Sequence, residues 1–265
     1  FTGPEERVGA WSRQYDRYLR IYYGDSSVRS GVSQGASLTF TGMVSERLAA
    51  FTTMAPAQLA DLAREALRRA VGFMLASRDP RQGGFGRLSS DVRVRSGRAL
   101  QLDVRHTCWA VRGLASVDAA KYSDEIAAGL RWIAARARLR DPDDRWCWTA
   151  APLLALTADP RMLFHSEWQA EAPSIGEAVL ADIEASFDDR FASWLGGEDK
   201  TKGGWVATDN ALYVLYCLKD CGRTSDMLDS QRESAIQRLL GRTVVSGVNG
   251  ASRGLPLFVP ECPEL

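Results

Sequence analysis

The sequence predicts an all-α fold in which helical hairpins stack in two layers as a solenoid or closed ring. Three observations predict it. Apolar residues recur at three- and four-residue spacing along most of the chain. Segments with one polar side alternate with segments that are apolar nearly all round, the patterns of an outer and a buried inner layer. Strand-like alternation is confined to Val92-Arg93-Val94-Arg95, enough only for a short ribbon.

Taken in order, residues 5–22 read as a first helix with Val8, Trp11, Tyr15, Tyr18 and Leu19 on one face. A Ser/Gly-rich break at 24–35 leads to an apolar stretch at 38–51. Ala55-Pro56 opens a long helix carrying Leu59, Leu62, Ala66, Ala70, Phe73 and Met74 on its expected core face. That helix ends near Arg78-Asp79-Pro80, because proline disfavours the α conformation in the residue before it. An outer-then-inner pattern repeats from there: 56–77 with 103–117, 122–138 with 145–158, and 174–194 with 206–220. The inner members carry Cys108-Trp109-Ala110-Val111, Ala150-Ala151-Pro152-Leu153-Leu154 and Ala211-Leu212-Tyr213-Val214-Leu215. A last helix is expected at about 227–241, before an apolar tail with Leu255, Leu257, Phe258 and Val259. Repeats that bury their faces only against neighbours make such a solenoid or ring. The expected division is a helical segment at 1–54 packing on a repeat domain at 55–265.

Composition narrows the function. The 265 residues are 45% hydrophobic and 25% charged, as globular domains are. Thirty-three basic residues balance thirty-three acidic ones, which argues against a nucleic-acid-binding surface over the whole chain. The balance is local as well as global: 60–140 holds sixteen bases and eight acids, while 141–199 holds three bases and thirteen acids. This charge dipole can orient a partner or an anionic ligand, or be no more than solvated faces of different sign. All but four of the bases (Lys121, Lys200, Lys202 and Lys219) are arginine, which suits bidentate contacts to carboxylate or phosphate. No apolar run approaches the ~20 residues that span a bilayer. Five scattered cysteines suit a reducing compartment, so a cytoplasmic location is expected. The chain opens at Phe1 without Met, so it is expected to be processed, trimmed or cut from a longer protein.

Gln82-Gly83-Gly84-Phe85-Gly86 and Lys202-Gly203-Gly204-Trp205 each follow an outer helix, and Asp103-Val104-Arg105-His106-Thr107-Cys108-Trp109 opens an inner one. Together these resemble the α/α-toroid superfamily, the ring of helical hairpins shared by protein prenyltransferase β subunits and terpenoid cyclases. The resemblance covers about 56–220 and implies a complete or partial toroid. The run at 103–109 is similar to the inner-helix start that gives the zinc-binding histidine of prenyltransferases. It implies His106 as a metal ligand, with Cys147, Asp143 or Asp209 as companions. A zinc ion there would hold a substrate thiolate. The prenyltransferase Asp-x-Cys pair is absent from this sequence. In class II cyclases the protonating motif is Asp-x-Asp-Asp-Thr, whereas the aligned residues here are Asp103-Val104-Arg105-His106-Thr107.

The candidate chemistry has plainer alternatives. His106 can be a helix-start histidine bonded to Asp103, with no metal. Asp141-Pro142-Asp143-Asp144 matches the acid motif literally, with Asp143 as the protonated acid, but it is also an ordinary helix N-terminus. Arg93, Arg95, Arg98 and Arg105 form either a diphosphate or phosphorylated-ligand site at an inner-helix start or an exposed basic loop facing the acidic segment. Trp109, Trp146, Trp148, Trp205, Tyr213 and Tyr216 line an isoprenoid or lipid pocket or are core. Cys217 and Cys221 read as core and helix-end residues.

The favoured reading is a non-catalytic binding or interaction domain that holds a protein partner or other domains of a longer chain. It needs no cofactor, no nucleic acid and no membrane span. The alternative is an isoprenoid-handling enzyme, with Asp103, His106 and Asp143 catalytic and Arg93, Arg95, Arg105 and Trp109 holding a prenyl diphosphate or another anionic small molecule. The metal would be Mg²⁺ with a diphosphate, or zinc on His106, Cys147 and Asp209.

Overall fold

The computed structural model describes residues 36–88, 100–137, 146–195, 204–219 and 221–241, and short strands at 11–12, 244–245 and 253–254. The described chain is mostly helical. It divides into two compact units, Phe1–Arg138 with Phe164–Trp168, and Leu139–Leu163 with Gln169–Leu265.

In the first unit, α1 (Leu38–Thr52) and α2 (Ala57–Ala76) form a hairpin, followed by α3 (Val104–Asp118) and α4 (Ser123–Arg136). Trp11–Ser12 (β1) is extended and pairs with Ala36–Ser37 (β2), so the helix expected over 5–22 does not hold at those two positions. The rest of that span lies outside the described residues, as does Val92–Arg95. The described ribbon flanks that loop, pairing Gly86–Leu88 (β3) with Leu100–Leu102 (β4).

His106 to Ala115 of α3 is buried without a break, as an inner helix requires. Its most extensive neighbour is α1 rather than the expected outer partner α2. The reason is glycine. A Cβ on Gly42 would lie 2.3 Å from the Trp109 carbonyl oxygen, and one on Gly113 would lie 3.1 Å from the Gly42 Cα. The two backbones therefore approach at a distance only glycine allows.

The core face of α2 is rotated from the expected one. Ala60, Ala63, Leu67, Ala70, Val71, Phe73 and Met74 are buried, whereas Leu59 and Leu62 are 49% and 69% exposed. Its apolar residues spread over too wide an arc for one neighbouring face to cover them all.

In the second unit, α5 (Trp146–Thr157) and α6 (Ser166–Ala185) precede a hairpin of Phe187–Asp188 (β5) with Ser193–Trp194 (β6). Then come α7 (Gly204–Leu218), α8 (Asp226–Gly241) and a last pair, Val244–Val245 (β7) with Arg253–Gly254 (β8). Cys147 through Thr157 is buried continuously, and α5 packs on α7. The helix expected from 174 begins at Ser166 and carries Pro173 inside it.

The hairpin after α2 and the hairpin after α6 are the same device. Gly86 N–H donates to the Ser77 carbonyl at 2.9 Å, and Leu195 N–H donates to the Ser186 carbonyl at 2.8 Å. Asp79 accepts the Arg81 N–H at 2.8 Å, and Asp188 accepts the Arg190 N–H at 3.1 Å. Gly83 (φ 84°) and Ala192 (φ 44°) occupy the same left-handed position, and a wholly buried aromatic, Phe85 or Trp194, follows two residues later. The equivalent of Gly83-Gly84-Phe85 is therefore Ala192-Ser193-Trp194, which corrects the sequence reading. Gly204 and Trp205 instead belong to the first turn of α7.

Candidate functional site

The start of α3 gathers most of the described candidate residues. Asp103 is extended and caps the helix, its Oδ1 accepting the His106 N–H at 2.6 Å. Its other oxygen, Oδ2, meets the His106 ring at Nδ1. His106 is buried, and Arg105 beside it is half-buried. Burial pushes the Asp103 carboxyl up, but the hydrogen bond and charge of His106 and the charge of Arg105 outweigh it. Its pKa therefore lies below the usual carboxylate range.

Thr107 locks this helix start to the aromatic hairpin. Its hydroxyl accepts the Phe85 N–H at 3.0 Å and donates to the Asp103 carbonyl at 2.8 Å, while Asp103 N–H reaches the Phe85 carbonyl at 3.3 Å. The resemblance placed chemistry at Asp103 and His106; the contacts there also do structural work.

This arrangement gives a pH-dependent prediction. A carboxylate with a depressed folded pKa stabilises above its unfolded value, ~4, and loses that contribution as pH falls through the folded value. Asp103→Ala should cost about 1–2 kcal/mol at neutral pH, the usual range for a lost cap. In urea titrations at several pH values the gap to wild type should narrow below about pH 4. A gap that stays constant on acidification would refute the ionised cap.

The other candidates are scattered. Trp109 is fully buried with the Arg112 guanidinium 4.8 Å from its ring centre, so it is core. Cys147 is fully buried at the start of α5, and Asp209 is half-buried in α7; both belong to the second unit, whereas His106 belongs to the first. Arg93, Arg95 and Asp143 lie outside the described residues. Among the described residues no three His, Cys, Asp or Glu side chains form a group that could hold a metal ion. Cys217 is core, and Cys221 lies just beyond α7. No helix among the described residues is long and apolar enough to cross a membrane.

Two polar clusters escaped the sequence reading. At the α1–α3 seam, Arg112 Nη2 lies 3.0 Å from Glu46 Oε1, and Arg112 is only 4% exposed. Thr39 Oγ1, Ser45 Oγ and Glu46 Oε2 are buried without a hydrogen-bond partner among the described residues. The signal was available: α1 reads Leu-Thr-Phe-Thr-Gly-Met-Val-Ser-Glu, with small and polar residues on a face that must be buried.

In the second unit, Asn210 is wholly buried. It accepts the Trp148 indole N–H at 2.7 Å and donates to the Trp194 carbonyl at 2.9 Å. Tyr213 stacks on Trp148 at 4.0 Å between ring centres and donates its hydroxyl to the Trp148 carbonyl at 3.0 Å. Asn210 thus does for the second hairpin what Thr107 does for the first.

No protein-family profile, curated protein or solved structure matches the chain.

Proposed function

We propose that this chain is a non-catalytic binding or interaction domain built from α/α-toroid-like helical repeats, working as part of a larger protein or complex. The recurrence of the outer-helix, aromatic-hairpin, inner-helix device in both units supports the repeat architecture. One observation carries the functional reading: large exposed apolar side chains gather at the turn end of the α1–α2 hairpin. Phe51 is 41% exposed, Met54 80%, Leu59 49% and Leu62 69%, all within twelve residues of chain. Scattered exposed leucines are ordinary, but a cluster on one supersecondary unit marks a surface that another molecule covers.

A photo-crosslinking residue at Met54 or Leu62, with Arg131 on α4 as the control position, tests this in extract from the source cells. A discrete adduct from the hairpin positions alone supports the reading. Equal or absent labelling at all three positions contradicts it.

The Asp103–His106 contact favours a second reading, an isoprenoid-handling enzyme in which His106 Nε2 serves as a base or metal ligand. Zinc content by mass spectrometry and prenyl diphosphate binding, each compared with His106→Ala, decide that case. Stoichiometric zinc lost in the variant would support the enzyme.

A further inference from the structure

The exposed face of α2 is specific in its chemistry. Leu59, Leu62, Ala66 and Arg69 recur at three- and four-residue spacing, so they share one side of the helix. Arg69 is more than half exposed while bonding Glu65 at 2.8 Å, and hydrogen bonds from Arg68 and Arg69 hold the Glu65 carboxyl down to about 2. The helix carries three arginines against two carboxylates. A partner for this face needs an apolar but shallow surface edged by negative charge.

α6 has that character. It carries Glu167, Glu171, Glu177, Asp182 and Glu184 and no lysine or arginine of its own, although Arg223 reaches it at the Pro173 carbonyl and Arg131 lies 3.9 Å from Glu167. Ala170, Ser174, Glu177, Ala178 and Ala181 fall on one side of it and are all exposed. Small side chains leave a flat strip on which the leucines can lie, and Glu177 sits beside it. The whole chain has zero formal charge, so no net repulsion opposes a second copy.

We infer that copies of this chain associate head to tail, the Leu59–Leu62–Arg69 face of α2 in one docking on the Glu177–Ala178–Ala181 face of α6 in the next. This rests on the interaction-domain reading and names the partner as the chain itself. The contact is heterologous, since like faces would set arginine against arginine.

Sedimentation velocity on the purified chain over a range of concentrations and salt tests it. The expected result is reversible association that weakens as salt rises. Leu62→Glu, Arg69→Glu and Glu177→Arg should each weaken it by roughly tenfold or more, and the double variant Arg69→Glu/Glu177→Arg should restore it. All these positions are exposed, and circular dichroism checks that the variants stay helical. A chain that is monomeric at every concentration overturns the inference, as does association indifferent to these changes or a double variant that does not recover. If the chain is monomeric and Leu62 still crosslinks to another protein, self-docking fails and the interaction-domain reading stands. If neither occurs, both fail.

Discussion

Glu46→Ala is expected to destabilise the first unit by about 1.5–3 kcal/mol, the range for a hydrogen bond to a charged group. Arg112 sits in the middle of α3 and is 4% exposed, its guanidinium against the Trp109 ring and 3.0 Å from the Glu46 carboxylate. Without that carboxylate the buried guanidinium loses a charge-assisted hydrogen bond of 3.0 Å. The seam cannot open to admit water cheaply, because Gly42 and Gly113 hold the two backbones in contact. The double variant Glu46→Leu/Arg112→Met should recover most of the loss, since apolar residues of similar volume can replace a buried pair at little cost. Urea unfolding of wild type, Glu46→Leu, Arg112→Met and the double variant measures the coupling. A single-variant loss under about 1 kcal/mol would place the pair among solvated surface contacts.

Asn210→Leu should cost the second unit about 2–5 kcal/mol. It removes the hydrogen bonds that Asn210 makes to two buried groups, the Trp148 indole N–H and the Trp194 carbonyl, each loss worth about 1–3 kcal/mol. Adding Trp148→Phe removes the indole donor that Asn210 accepts from and should return part of that loss. Hydrogen exchange of α5 and α7 amides is the direct readout, because the network ties both helices to the aromatic hairpin. Equal protection in wild type and Asn210→Leu would show that the network contributes little.

Much of the helical plan was legible in the sequence. The stretch at 38–51, the span 122–138 and the last helix at 227–241 correspond to α1, α4 and α8. The uniformly apolar runs at Cys108 and Ala150 proved to be buried helices, whereas the run at Ala211 is helical but leaves Leu212 exposed. These features are local: periodicity, proline and capping chemistry act within a few residues, so the chain itself carries them. The helix start at Asp103 was legible for the same reason, since its cap spans three residues.

Other features depend on atoms far apart in sequence. Periodicity placed Leu59 and Leu62 in the core of α2, but which apolar arc is covered depends on where α1 and α3 lie. Glycine pairs pointed to Lys202-Gly203-Gly204-Trp205 as the second turn. The structure uses Ala192-Ser193-Trp194, because an alanine held at φ 44° by the surrounding hairpin fills a position glycine would take more easily. Glu46 with Arg112, and Asn210 between Trp148 and Trp194, join residues 66, 62 and 16 positions apart, and no local pattern encodes such partners.

The sequence by itself therefore determined that the described chain is mostly helical and where most of its helices lie, through side-chain periodicity and backbone preference. Only the tertiary structure decided which face of α2 stays in water, how closely α1 meets α3 and which buried polar groups find each other. Those depend on the shape and charge of a neighbouring surface, which exists only once the chain has folded.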